Sequence, residues 1–176
     1  MTSKIVRFSA GSFLACFALF VVIAGCKKSN SSSTGGGTLS ATLTPGNVAT
    51  GFAFQPSLTV GTLSQSVSTI FITSLQIKSG DSLLLQVGFV DTARVNVAYP
   101  ISGGLTGMNY SDALTGFFYI ADQSAGSGSV TLTTIDTVGH KAVGTFSGTM
   151  VGNNGLNNDT LIVTNGQFNS TYTVGP

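Results

Sequence analysis

The chain carries very little charge. Only 7% of its 176 residues are charged, against about a quarter in an ordinary globular protein. The seven basic side chains form no extended cluster, which argues against a nucleic-acid partner, because affinity for nucleic acids depends on Lys and Arg neutralising phosphates. The polar residues are mainly Ser, Thr, Asn and Gly, and this composition favours β-rich surfaces over helices.

Glutamate and tryptophan are absent from the sequence. Glycosidases use two carboxyl groups, often glutamates, and tryptophan is a common aromatic surface for recognising sugars and cations. All six acids are aspartates, and each lies beside a predicted turn, where an aspartate accepts hydrogen bonds from backbone N–H groups. These aspartates are Asp81, Asp91, Asp112, Asp122, Asp136 and Asp159. A turn role is therefore favoured over catalysis by paired carboxylates.

Cysteine occurs only at positions 16 and 26. The chain after Cys26 therefore has no thiol for a disulfide, a zinc site or nucleophilic catalysis. If this part of the chain is exported, its core alone must hold it together.

The first 25 residues have the layout of a helical secretory signal peptide. Lys4 and Arg7 give a basic start, residues 13–23 form an apolar run, and the small pair Ala24-Gly25 follows. The apolar run is shorter than the roughly 20 residues that cross a bilayer. An uncleaved anchor helix is the alternative interpretation.

Ile23-Ala24-Gly25-Cys26 resembles the bacterial lipobox, in which an apolar residue and two small residues precede an obligatory cysteine. The resemblance implies cleavage between Gly25 and Cys26, a diacylglycerol on the Cys26 sulfur and an acylated new amino end. Stable anchoring takes more than one acyl chain, so Cys26 modified in this way would hold the protein on a membrane.

The residues after Cys26 indicate to which membrane the lipid would attach the protein. Lys27 is not the aspartate associated with inner-membrane retention, which favours the outer membrane. Residues 27–30 lack the acidic residues of surface-export signals, which favours the periplasmic side.

The sequence divides the chain after the signal into two parts. Residues 26–38 are expected to be the lipidated cysteine and a flexible Ser/Gly linker, because residues 27–38 contain no apolar side chain with which to form a core. Residues 39–176 are expected to form one β-sandwich domain.

Apolar residues in this domain recur with a period of two, as in Leu39-Ala41-Leu43 and Leu83-Leu85-Val87-Phe89. No segment after the signal shows a convincing helical period. We predict an all-β fold, an antiparallel β-sandwich or partly closed barrel of about eight to ten short strands.

Two local patterns predict irregularities. The apolar alternation changes parity between Ile72 and Leu75, which indicates a bulge or a break. Asn165-Gly166 is a strong signal for a two-residue hairpin turn, and a bulge within one long strand is the alternative.

Three segments of the C-terminal third share a pattern of Gly, Thr and Phe: Gly126–Leu132 followed by Thr134–Asp136, then Val143–Thr149, and then Ile162–Asn169. In these segments the chain is similar to a family of small envelope lipoproteins of unknown function. Members end in a pattern G-x-F-x-G-x … I-T-N-G-x-F, and in this chain Val163 displaces the Ile-Thr pair by one residue. The resemblance implies an all-β fold and a lipid anchor, and it implies no activity.

Two further features, a lone histidine and an Asn-rich loop, contain groups that could form a site. His140, the only histidine, lies in a turn with Asp136 and is expected to be solvated there, because a serine hydrolase would need a preorganised triad and no Gly-x-Ser-x-Gly elbow occurs. The Asn-rich loop Gly152–Asp159 offers oxygens to calcium but contains only one carboxylate, so a polar hairpin loop is favoured.

Phe117-Phe118-Tyr119 places aromatic rings on both faces of one predicted strand. Either both faces are buried, or one face is an exposed binding patch. These three residues and Tyr110 are the candidate binding surface.

The sequence as a whole favours a lipid-anchored, non-enzymatic accessory or binding module of the cell envelope. The expected partners are the membrane, through lipid on Cys26, and an envelope protein or a glycan; no nucleic acid, cofactor, metal or catalytic residue is expected. The alternative is a carbohydrate-binding or hydrolytic lipoprotein that uses aspartates at strand ends.

Overall fold

The computed structural model describes residues 36–46, 49–78, 81–101, 106–152 and 159–175. All of these residues belong to one structural unit, Ser33–Pro176. The signal peptide, Cys26 and most of the predicted linker lie outside the described residues. Within the described ranges there is no helix with the length and apolar character needed to cross a membrane.

Eleven strands occur in the described part of the chain. They are β1 (Gly37–Pro45), β2 (Phe52–Phe54), β3 (Leu58–Ser64), β4 (Thr69–Lys78), β5 (Asp81–Val90), β6 (Ala98–Pro100), β7 (Thr106–Asp112), β8 (Phe118–Ala121), β9 (Ser127–Asp136), β10 (Lys141–Gly152) and β11 (Thr160–Gly175). The all-β prediction is confirmed, with one strand more than the upper end of the expected range. β1 begins two residues before the predicted start of the domain.

Alternation of buried and exposed side chains explains why these segments form strands. In β1 the side chains of Leu39, Ala41 and Leu43 are buried, and the Ser and Thr residues between them are not. In β5 the residues from Leu83 to Phe89 with odd numbers are all buried. Successive side chains in a strand point to opposite faces, so each strand contributes one apolar face to a common core.

The strands form one partly ringed sheet in the order β2-β1-β11-β3-β4-β5-β7-β8-β10-β9-β6, with an additional pairing of β10 with β11. These pairings give two layers, β2-β1-β11-β10-β9-β6 and β3-β4-β5-β7-β8, as in a sandwich. The layers join at two corners. At one, Tyr172–Gly175 of β11 pairs in parallel with Gly61–Ser64 of β3; at the other, the end of β10 pairs with β8. Among the named strands of the described residues, only the pairing of β11 with β3 is parallel, and the pairing of β10 with β8 is antiparallel like the rest.

The core lies between the two layers. Phe89 of β5 stacks on Phe168 of β11, with ring centroids 5.4 Å apart and planes inclined by 17°. Phe146 of β10 also packs against Phe168, at 6.3 Å. Phe168 is only 2% exposed. The Phe89–Phe168 pair joins the two layers, whereas Phe146 and Phe168 lie on neighbouring strands of one layer.

The predicted bulge in β4 is wrong. β4 pairs without interruption with β3 on one side and with β5 on the other. The parity changes because Ser74 takes the inward position after Ile70 and Ile72, while Leu75 and Ile77 point outward. Ser74 is fully buried, and its hydroxyl is 2.9 Å from that of Thr59, so a paired polar group replaces an aliphatic one.

The hairpin predicted at Asn165-Gly166 is also wrong, and the alternative bulge is present. β11 is a single strand, and its register shifts at this point against both β1 and β10. Thr164 and Asn165 together oppose one residue of β10, Ser147. Asn165 has a positive φ of 53°, which asparagine tolerates better than most residues, so the signal for an Asn-Gly turn is satisfied inside a strand.

Candidate functional site

Tyr110, Phe117, Phe118 and Tyr119 lie together where β7 ends and β8 begins; we call these four residues the aromatic rim. The β7–β8 turn is built around Asp112, whose Oδ1 accepts the N–H of Thr115 at 2.9 Å and whose carbonyl accepts the N–H of Gly116 at 2.9 Å. Gly116 has φ of +70°, a left-handed conformation that a side chain would oppose. This turn therefore places Phe117 immediately before β8.

The four rim residues differ in exposure. Tyr110 is 5% exposed and belongs to the core, whereas Phe117 is 38% exposed. Tyr119 lies between them: its ring is 6.1 Å from that of Tyr110 and in edge contact with that of Phe117 at 6.4 Å. Phe118 is opposite Ser111 on the other face of β8 and is half-buried. The aromatic run is thus partly core and partly surface.

Carboxylates surround the rim. Asp81 accepts the N–H of Ser82 at 2.7 Å and that of Leu114 at 3.1 Å, and thereby ties the start of β5 to the β7–β8 turn. Burial raises the pKa of Tyr110 above its ordinary value, and the negative charges of Asp112 and Asp81 raise it further. Burial, and then the negative charges of Asp159 and Asp112, also raise the pKa of Tyr119. Both rim tyrosines therefore keep their protons to a higher pH than an exposed tyrosine does.

The interpretation of the aspartates as turn residues is confirmed for four of them. Besides Asp81 and Asp112, Asp122 accepts the N–H and the hydroxyl of Ser124, and Asp136 accepts the N–H groups of Val138 and Gly139. Within the ranges that the structure describes, no three His, Cys, Asp or Glu side chains are grouped to hold a metal ion. The calcium alternative concerned residues 152–159, of which 153–158 lie outside the described residues.

His140 lies in the β9–β10 turn as expected and is partly exposed, and one face of its ring contacts another aromatic ring. It stacks on Tyr172 at 5.3 Å with planes inclined by 18°, and its carbonyl accepts the Tyr172 N–H at 2.8 Å. Burial and then Asp136 and Asp91 raise the pKa of Tyr172. The Asp136 Oδ1 that a triad would aim at the imidazole instead accepts the two backbone N–H groups of the turn.

The structure also has a concave surface that the sequence did not predict. A shallow concavity of about 310 Å³ lies on β9, β10 and β11. We call it the polar groove; its lining side chains are Ser129, Thr131, Thr145, Ser147, Asn165 and Gln167, with Phe146 and Gly166 completing it. The alternation of Ser and Thr with buried residues in β9 and β10 was visible in the sequence, but only the pairing of the three strands brings these side chains together.

The molecule thus presents two surfaces of different chemistry, an aromatic rim at the ends of strands and a polar groove across the middle of a layer. No family model matches the chain, and neither a curated protein nor a solved structure matches it.

Proposed function

We propose that the protein is a lipid-anchored lipoprotein of the cell envelope whose sandwich is a non-enzymatic binding module that contacts an envelope partner through the aromatic rim. The observation that carries the proposal is the surface position of Phe117 beside the half-buried ring of Tyr119. Aromatic side chains that are partly exposed and rigidly held are typical anchors of protein interfaces.

The direction of the strands supports this assignment of the rim. β1 is antiparallel to β11, β11 to β10, β10 to β8, and β8 to β7. The start of β8 and the end of β7 therefore lie at the end of the sandwich opposite to Gly37, where β1 begins. The first residue of β1 and the rim are therefore at opposite ends of the sandwich.

The lipid anchor is supported by the lipobox-like residues Ile23–Cys26 that follow the apolar run. Lys27 favours the outer membrane, and the lack of acids in residues 27–30 favours its periplasmic side. The non-enzymatic assignment is supported by the turn hydrogen bonds that occupy Asp81, Asp112, Asp122 and Asp136. These bonds leave a strand-end aspartate poorly placed as an acid or base.

The anchor is tested by acyl labelling in cells. Radiolabelled palmitate should enter the full chain and should be absent from the Cys26→Ser variant. Continued labelling of that variant would show that the lipid is attached elsewhere.

The rim is tested by capture of partners from detergent-solubilised envelopes. We expect a partner of the full chain to be lost or weakened about tenfold or more by Phe117→Ala, because truncation of an aromatic anchor costs on the order of 2 kcal/mol. The control is Val138→Ala in the β9–β10 turn, since Val138 is 92% exposed and far along the chain from the rim. Equal capture by both variants would refute a role for the rim.

A further inference from the structure

The polar groove is a built feature of the β10–β11 pairing. Thr131 of β9 is opposite Thr145 of β10, and Thr145 is opposite Gln167 of β11. Ser129 is opposite Ser147 in the next row. Neighbouring strands lie about 4.8 Å apart, so these side chains form a small grid on the outer face of the layer.

The bulge opens this grid. At Asn165 the β11 strand holds one residue more than β10, and the ladder between them is interrupted beside Ser147. Thr164 and Asn165 are consecutive exposed residues at this bulge, which breaks the alternation, and Asn165 lines the concavity. Gly166 completes the wall without a side chain, and a Cβ there would lie 2.7 Å from ring atoms of Phe146.

The hydrogen-bonding groups of the groove are unpaired within the part of the chain that the structure describes. None of the six polar side chains that line it makes a hydrogen bond with another residue in the described part of the chain. Each of these groups both donates and accepts: the hydroxyls of Ser and Thr and the amides of Asn and Gln. Four of them, on β10 and β11, are exposed to solvent.

The lining excludes several classes of ligand. It contains no cationic side chain for a phosphate or sulfate and no carboxylate for a metal ion. It offers no exposed aromatic ring on which a nucleobase could stack. β10 is paired on both edges, by β9 and by β11, so an extended peptide cannot add to its backbone.

We propose that the polar groove binds a short segment of a neutral carbohydrate chain, whose hydroxyls match its donors and acceptors. The volume of about 310 Å³ is at the small end of ligand sites, which suits part of a chain and not a large compact molecule. Because the groove is shallow and lacks an aromatic platform, the dissociation constant should be weak, on the order of 1 mM. This site does not involve the rim and does not depend on the lipid anchor.

The test is a two-dimensional amide NMR titration of the full chain, labelled with ¹⁵N, in a detergent without a sugar head group. The probes are chitohexaose, cellohexaose and maltohexaose, three neutral oligosaccharides that differ in linkage and substituents. We expect at least one probe to shift amides of β9, β10 and β11 near Thr131, Thr145 and Gln167. The amides of Phe117 and Tyr119 should not move.

The matched variants are Thr145→Val and Thr173→Val, which make the same change at two exposed strand positions. Thr145→Val should weaken binding roughly two- to tenfold, the value of one hydrogen bond. Thr173→Val, outside the groove, should bind normally. An unchanged unfolding midpoint in both variants would show that the fold is intact.

Three results would overturn the proposal: no shift with any probe at about ten times the expected dissociation constant, shifts confined to the rim, or equal binding by the two variants. The rim proposal is tested by a different change, Phe117→Ala, and with a different readout. A negative result for the groove therefore does not refute the rim proposal, and a negative result for the rim does not refute the groove proposal.

Discussion

The rim and the groove are built from opposite kinds of residue and are related to the core in opposite ways. Tyr110 of the rim is itself a core residue, and Tyr119 and Phe117 extend from it to the surface. The polar side chains of the groove are all on the outer face of a layer, and the buried residues Phe146 and Phe168 alternate with them on the inner face. The aromatic rim is therefore continuous with the core, whereas the polar side chains of the groove lie outside it.

The surrounding charge differs as well. Asp81, Asp112 and Asp159 all act on the tyrosines of the rim, whereas the groove has no ionisable lining. The rim can respond to alkaline pH and the groove cannot do so directly. Substitutions in the shared core, in the groove and in the rim therefore give three tests of whether the two surfaces are independent.

The largest effect should follow from Phe168→Ala, because this ring connects the two layers. Its removal should lower the free energy of unfolding by about 3–5 kcal/mol, from lost burial and an unfilled cavity. Urea titration measures the loss. Phe117→Ala is the control and should cost about 1 kcal/mol or less, since this ring is partly exposed.

Because Phe168 and Tyr110 belong to one core cluster, the variant should disturb amide resonances of the rim and the groove together. A loss below about 2 kcal/mol would mean that the layers are joined mainly by other contacts. A disturbance of the groove alone would contradict the idea of one shared core.

An intermediate effect should follow from Gly166→Ala, which acts on the groove. The new Cβ would collide with the carbonyl oxygen and ring of Phe146, so the bulge must shift, at a cost of about 1–3 kcal/mol. The control is Gly36→Ala, since a Cβ at Gly36 meets nothing within 4 Å. Thermal unfolding measures both.

Resonances of the groove should move in Gly166→Ala, and those of the rim should not, because distant sites behave additively. Equal midpoints for the two alanine variants would show that the bulge is not held by this close approach.

The smallest effect concerns alkaline pH and acts on the rim. The folded state raises the pKa of Tyr110 above its unfolded value of about 10, so the folded chain holds this proton more strongly. The resulting contribution to stability is complete below pH about 10 and is lost as the pH rises further. In Tyr110→Phe the decline of unfolding free energy above pH about 10 should be shallower.

Urea titrations at a series of pH values measure this decline. The groove provides the internal control, since its amide resonances should be the same in Tyr110→Phe as in the parent chain. Identical slopes for the two proteins would mean that Tyr110 does not carry the dependence.

Much of the fold was predictable because burial on one face imposes alternation. β5 shows this most clearly: its inward positions from Leu83 to Phe89 are all apolar, and all are buried. The turn role of Asp112 and Asp136 was predictable for a similar reason, since a short carboxylate satisfies nearby backbone N–H groups whatever the surrounding fold.

The errors have a common physical cause, which is the influence of neighbouring strands. Ile77 and Leu75 suggested a bulge, because the sequence does not show that Thr59 supplies a partner for a buried Ser74. Asn165-Gly166 suits a hairpin and a bulge equally well in its local conformation. Strands β1 and β10 on either side keep β11 in one piece.

The two surfaces differ in the same respect. The rim could be proposed from contiguous residues, Phe117–Tyr119, but the assignment of Tyr110 to the core required the pairing of β7 with β8. The groove could not be proposed at all, since Ser129, Thr145 and Gln167 meet only through the register of three strands.

The amino-acid sequence by itself determined that this chain is all-β, which residues form most of its strands, and in which turns an aspartate accepts backbone N–H groups. Those properties depend on local conformation and on a two-residue period, both of which act over short stretches of chain. Only the tertiary structure decided how the layers join, how deeply each ring of the aromatic rim is buried, and that a polar groove exists. Such properties depend on hydrogen bonds between distant strands, and a shift of one residue in their register would move every side chain to the other face.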